Sequence, residues 1–166
     1  MIDKRMNDHY PITKHIRILY KHNREIIGSL LTDELSAMET YQQIMKKLQN
    51  DASFGEMEFL LPLYKGHKEA VSSLQAQIRE LGYPQPEASS VRGKWAQIVE
   101  GCAILQGKQA MLKILQIGEK STIADYEKVL QNANLATSIR CLIEWKLLFI
   151  QQAHIRTLDR LLETVV

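Results

Sequence analysis

With 166 residues, 45% of them hydrophobic, and a formal net charge of +2, the chain reads as one soluble globular domain large enough to enclose a core, and nothing in it points to several domains. Only 7% of residues are aromatic, and the Gly and Pro residues gather in a few places, which favours helices over an architecture of many short strands. Cys102 and Cys141 form neither a disulfide framework nor a CxxC motif, Glu144 and Lys146 interrupt the most apolar stretch, and the N-terminus lacks the continuous apolar region of a signal peptide, so a cytoplasmic protein without a membrane span is expected.

The chain begins with charge. Residues 1–24 hold six Lys or Arg against Asp3 and Asp8, a balance of +4 that leaves −2 for the remainder, and they also carry His9, His15 and His22. Residues 1–21 are read as a basic, histidine-containing arm, solvated and partly helical, ahead of a folded unit at 22–166. No nucleic-acid motif or interleaved aromatic pattern accompanies the charge, so nucleic acid is not an expected partner.

Helix 1 is expected from about His22 to Asn50, with Ile27, Leu30, Glu34, Met38, Tyr41, Met45 and Leu48 on one stripe. Ser53-Phe-Gly-Glu56 has the form of a capping box. The helix that follows runs to Leu81, with Met57, Leu60, Tyr64, His67, Val71, Leu74, Ile78 and Leu81 in steps of three and four, and with a kink expected at Pro62. Gly82-Tyr-Pro-Gln-Pro86 stops it. A shorter helix within 89–106, built around Trp95, Ile98, Cys102 and Leu105, reads as part of a long crossover. Helix 3 follows Gly107 to about Gln131, with Leu112, Leu115, Glu119, Ile123, Tyr126 and Leu130 inward. Helix 4 runs from about Leu135 to Glu163, with Ile139, Ile143, Leu147, Ile150, His154, Leu158 and Leu161 inward. The fold class is therefore all-α: a four-helix bundle of two hairpins joined by a long crossover that contains a short helix, the connectivity of ferritin-like folds.

Each long helix carries one ionisable residue where its period calls for an apolar one: Glu34, His67, Glu119 and His154. Groups of this kind survive burial when they are paired, hydrogen-bonded or metal-bound, so the four are expected to meet. Glu34 precedes Tyr41 by seven residues and Glu119 precedes Tyr126 by seven, which repeats the arrangement once per hairpin. Gly66 and Gly118 stand immediately before His67 and Glu119, each at a cost of about 1 kcal/mol relative to Ala inside a helix. They would provide either room for a bent backbone or, the preferred reading, close helix contact.

Glu34-Leu-Ser-Ala-Met-Glu-Thr-Tyr41 resembles the first helix of bacterioferritin, in which Glu-Leu-x-Ala is followed four residues later by Tyr. The bundle as a whole is similar to small bacterial four-helix proteins of the ferritin-like superfamily. The resemblance implies that Glu34 is a terminal metal ligand. It also implies Glu-x-x-His on helices 2 and 4, with each Glu bridging two metals. Here the matching segments are Tyr64-Lys-Gly-His67 and Gln151-Gln-Ala-His154, so both bridging carboxylates are missing and iron storage is not expected.

Two readings stay open. In one, a single divalent ion, iron, manganese or zinc, is held by Glu34, His67, Glu119 and His154, with Tyr41, Tyr64, Tyr126 and Gln151 around them as hydrogen-bonding support. In the other, the chain is a metal-free helical interaction or structural protein, and the quartet is a buried polar network that specifies which helices face each other. Trp95 and Trp145 are read as packing residues, with a subunit contact as the alternative role of either, and a homodimer and an unidentified protein partner are the expected associations.

Overall fold

Apolar residues spaced three and four apart, along segments that breakers interrupt only at their ends, become long rods whose stripes must be covered by one another. The computed structural model describes residues 11–50, 55, 57–86, 93–102 and 106–164. Within these, α1 (Pro11–Gln49) and α2 (Met57–Glu80) form the first hairpin, and α3 (Lys94–Gly101) lies in the crossover. The second hairpin pairs α4 (Lys108–Leu130) with a rod made of α5 (Thr137–Leu142), a π-helical turn (Ile143–Leu147) and α6 (Leu148–Thr164). α1 packs on α2 and α4, and α6 packs on α4 and α2, which closes the four-helix ring. Among the described residues no helix is long and apolar enough to cross a membrane. Ser53 and Glu56 of the expected capping box, and Leu105 of the crossover, lie outside the described residues.

α1 begins earlier than its stripe suggested. Pro11 opens it, a residue suited to the first helical position, where its missing N–H forfeits no bond. Residues 11–21, assigned to the arm from their charge, are thus continuous with the first helix of the bundle. Ile16 and Ile18 are exposed there, while Tyr20 packs edge-on against Tyr83 at 4.7 Å. At the end of α2 the Tyr83 N–H donates to the Ile78 carbonyl and the Gly82 N–H to that of Arg79, each at 3.0 Å, with Gly82 at φ +67°. This is a Schellman stop, which needs the left-handed conformation that glycine adopts without strain.

α3 is pinned between α1 and α4. The Lys94 and Ala96 backbone N–H groups donate to Asp33 Oδ1 and Ser36 Oγ on α1 at 3.0 and 3.2 Å, and Lys94 Nζ pairs with the Asp125 carboxylate on α4 at 2.6 Å. Trp95 is 1% exposed, so it belongs to the interior and is not an outward subunit contact, whereas Trp145 is 81% exposed.

The π turn corrects the inner face of the last rod. An α-helix repeats every 3.6 residues, and Ile150 was expected inside on that count. Instead Ile139, Ile143, Leu147 and Gln151 are buried at successive steps of four, because the wider π turn takes back the overshoot of each step, and Ile150 is only half-buried. On α4, Ile123 and Leu130 are likewise half-buried, while Thr122 is buried.

Asn23 joins the two hairpins at one end of the bundle. Its Nδ2 donates to the Leu19 and Asn134 carbonyls at 2.9 and 3.2 Å, and its Oδ1 accepts from the Ala136 N–H at 2.8 Å, ahead of α5. Asn23→Ala removes these three bonds, all between partly buried groups, and is expected to cost about 1–3 kcal/mol, read as a lower urea midpoint at unchanged m-value.

Candidate metal centre

The apolar core is divided in two. One cluster gathers Leu31, Ala70, Tyr126 and Leu147, the other Ala37, Leu63, Leu115 and Leu158. On every long rod Glu34, His67, Glu119 or His154 falls in sequence between a member of one cluster and a member of the other, and all four are buried. The quartet expected from the stripes thus forms a polar layer across the bundle.

Seven residues along a helix span about 10.5 Å, too far for Tyr41 to reach Glu34 or Tyr126 to reach Glu119 on its own rod. α1 and α4 run antiparallel, so equal offsets meet crosswise. The Tyr41 hydroxyl donates to Glu119 Oε1 at 2.5 Å, and the Tyr126 hydroxyl donates to Glu34 Oε1. Burial, reinforced by the neighbouring carboxylate, pushes both phenols well above their ordinary 10.0 and keeps them neutral donors.

His67 is held from both sides. Its Nδ1 lies 2.6 Å from Glu34 Oε2 and its Nε2 2.9 Å from Glu119 Oε1. An ionised carboxylate only accepts, so both ring nitrogens must donate, and the ring is an imidazolium. Burial alone would lower its pKa, but Glu119 and Glu34 together outweigh burial and raise it from 6.5 to about 10. Burial likewise opposes the Glu119 charge, but His67 and His154 overcome it and hold the carboxyl at about 2 against an ordinary 4.5.

On the last rod His154 Nδ1 lies 3.1 Å from Glu119 Oε1, and Gln151 Nε2 donates to Glu34 Oε1 at 3.1 Å. Two buried oxygens have no hydrogen-bond partner among the described residues: Glu119 Oε2 and Gln151 Oε1. Tyr64, expected beside the site as the counterpart of Gln151, is placed elsewhere, its hydroxyl accepting from Gln42 Nε2 at 2.8 Å on the exposed side. The inner position one turn before His67 is Leu63, four residues back, whereas the one before His154 is Gln151, three residues back.

Both glycines serve the layer through close contact. A Cβ on Gly66 would run into the His154 imidazole, and one on Gly118 into the Trp95 ring. Trp95, read from the sequence as a packing residue, covers the site: its ring meets His67 edge-on at 5.5 Å and Tyr41 at 5.7 Å, while Nε1 donates to Thr122 Oγ1 at 3.0 Å. The signal that could have found it is Gly118, a helix-interior glycine beside Glu119 that makes room for a large ring.

One ligand-type atom from each of His67, Glu119 and His154 lies within 4.8 Å of the other two, a spacing that suits a common cation. Glu34 is not part of that group.

No protein-family model and no curated protein matches the sequence. Among solved structures the chain is similar to a ferritin-like, diiron-carboxylate protein from Bacillus anthracis strain Ames, with a TM-score of 0.61 and 22% sequence identity over 87% of this chain and 97% of that one. The fold is ferritin-like. Within that fold, this chain has Tyr64 and Gln151 three residues ahead of its two buried histidines, and neither is a carboxylate.

Two outcomes follow from this geometry. Gly66→Ala gains helix propensity, yet is expected to lose about 1–3 kcal/mol because the His154 ring must move. His154→Ala in the same chain should return most of that loss, so a double-mutant cycle by urea unfolding is expected to show strong coupling. For pH, the His67 contribution to stability is fully present below 6.5 and is lost as pH rises toward 10, and the Glu119 contribution is fully present above 4.5 and is lost as pH falls toward 2. In metal-free protein the stability advantage over His67→Gln should therefore be widest between pH 4.5 and 6.5 and narrower at more alkaline pH, measured as the difference in urea midpoints.

Proposed function

We propose that this ferritin-like bundle binds one divalent transition-metal ion at its polar layer, and that it does not store iron. The observation that carries the reading is the approach of one ligand-type atom from each of His67, Glu119 and His154 to within 4.8 Å of the others, with Glu119 Oε2 buried and without a hydrogen-bond partner among the described residues. A buried acceptor without a donor costs stability, and a cation satisfies it. The diiron-carboxylate description of the Bacillus anthracis protein supports metal chemistry for this architecture. The layer here holds two carboxylates, Glu34 and Glu119, enough to balance one divalent ion but not two that become more positive on oxidation. A bound ion of this kind supplies a Lewis-acid or redox centre, while the side chains described above bind and orient it and Trp95 shields it from water.

Protein purified without chelator is expected to carry metal at up to one ion per chain. Added iron(II), manganese or zinc should raise the melting temperature by several degrees, since a ligand at about one hundred times its Kd adds about 2.7 kcal/mol to the folded state. The pair Glu119→Gln and His154→Ala should abolish both effects. Equal, near-zero metal in wild type and variant, with no thermal shift, would remove the proposal. That result would favour the second reading, a metal-free helical protein whose polar network specifies its helix pairing, for which the observation is His67 bonded to Glu34 and Glu119 at once.

A further inference from the structure

The two buried carboxylates have different surroundings. Glu34 has both oxygens engaged: Oε2 by His67 Nδ1 at 2.6 Å, Oε1 by the Tyr126 hydroxyl and by Gln151 Nε2 at 3.1 Å. Its three partners come from α2, α4 and α6, so the carboxylate is tied to every other wall of the bundle. Glu119 crowds Tyr41, His67 and His154 onto Oε1 and leaves Oε2 with no partner among the described residues. Gln151 sharpens the difference. A carboxylate at that position would repel Glu34, whereas the amide donates to it and takes up one of its oxygens.

We infer that Glu34 is a positioning residue and not a metal ligand: by accepting from His67 Nδ1 it turns His67 Nε2 toward Glu119 and His154, so that the centre is mononuclear, with two histidines and one carboxylate. The inference rests on the metal-binding reading above. A histidine that ligates through one nitrogen commonly donates from the other to a carboxylate, which fixes its tautomer and its orientation. Glu34 stands in that place relative to His67, outside the group of three whose ligand atoms converge. A set of two imidazole nitrogens and one carboxylate suits borderline ions such as zinc, and selects against magnesium and calcium, which demand oxygen ligands.

Calorimetric titration of chelator-treated full-length protein with zinc, and separately with magnesium, tests the assignment. Wild type should take one zinc per chain and no magnesium, and Glu119→Gln should take no zinc. Glu34→Gln should still take one zinc, with affinity lowered about 10–100-fold. Nitrogen-15 NMR of the zinc-loaded wild type provides a readout independent of any variant: His67 should keep its Nδ1–H, bonded to Glu34, while Nε2 shows the shift of a metal-bound nitrogen. Zinc lost from Glu34→Gln as completely as from Glu119→Gln, two zinc ions per chain, or metal on His67 Nδ1 would overturn the assignment while leaving metal binding intact. Zinc refused by wild type itself would overturn the metal-binding reading and this assignment with it.

Discussion

The bundle turns on one imidazole bonded to two carboxylates. Glu34 and Glu119 cannot both be ionised in an apolar interior unless positive charge sits between them, because taking each out of water costs several kcal/mol that only a close counter-charge and hydrogen bonds return. His67, with one nitrogen on each, supplies that charge, and it can do so only if α1, α2 and α4 come together in one register. A one-turn slip of any of the three would leave a carboxylate buried alone. The polar layer therefore constrains the packing more strictly than the leucines on either side, which would tolerate several registers at similar cost.

Much of the surrounding structure accommodates this layer. Glycine stands at positions 66 and 118, so that His154 and Trp95 can approach backbone directly. The π turn rotates the last rod until an amide that donates to Glu34, and not an isoleucine, faces the site. α3, held by Asp33, Ser36 and Asp125, brings Trp95 over His67 and closes the layer from outside. The two glycines and the π turn cost local stability, in helix propensity or in regular hydrogen bonding, and each is coupled to a buried polar group or to the ring that covers one.

A proton and a metal ion answer the same electrostatic demand. With His67 doubly protonated, the negative charge between Glu34 and Glu119 is balanced by an imidazolium. A divalent ion among His67, Glu119 and His154 would take over that balance on the Glu119 side, while the Glu34 side keeps its hydrogen bond. The asymmetry between the carboxylates, one fully engaged and one with an oxygen to spare, is what distinguishes this layer from a symmetric ion-pair network.

Periodicity made the helices, the crossover and the four inward polar residues legible, because which face of a rod is apolar depends on residues three and four apart in the same segment. The stop at Gly82 was legible for the same reason, being local backbone chemistry. What each polar group touches was not. That Tyr41 serves Glu119 and Tyr126 serves Glu34 depends on antiparallel register between two rods, and the burial of Gln151 in place of Ile150 depends on a π turn whose cause is the fit to neighbouring helices. Tyr64 and Gln151 occupy equivalent places before their histidines, yet only tertiary packing decides that one reaches Gln42 outside and the other Glu34 inside. The sequence by itself determined that four charged or polar groups had to be buried. Only the assembled bundle decided which of them bond to one another, because hydrogen bonds between helices depend on distances that no single helix encodes.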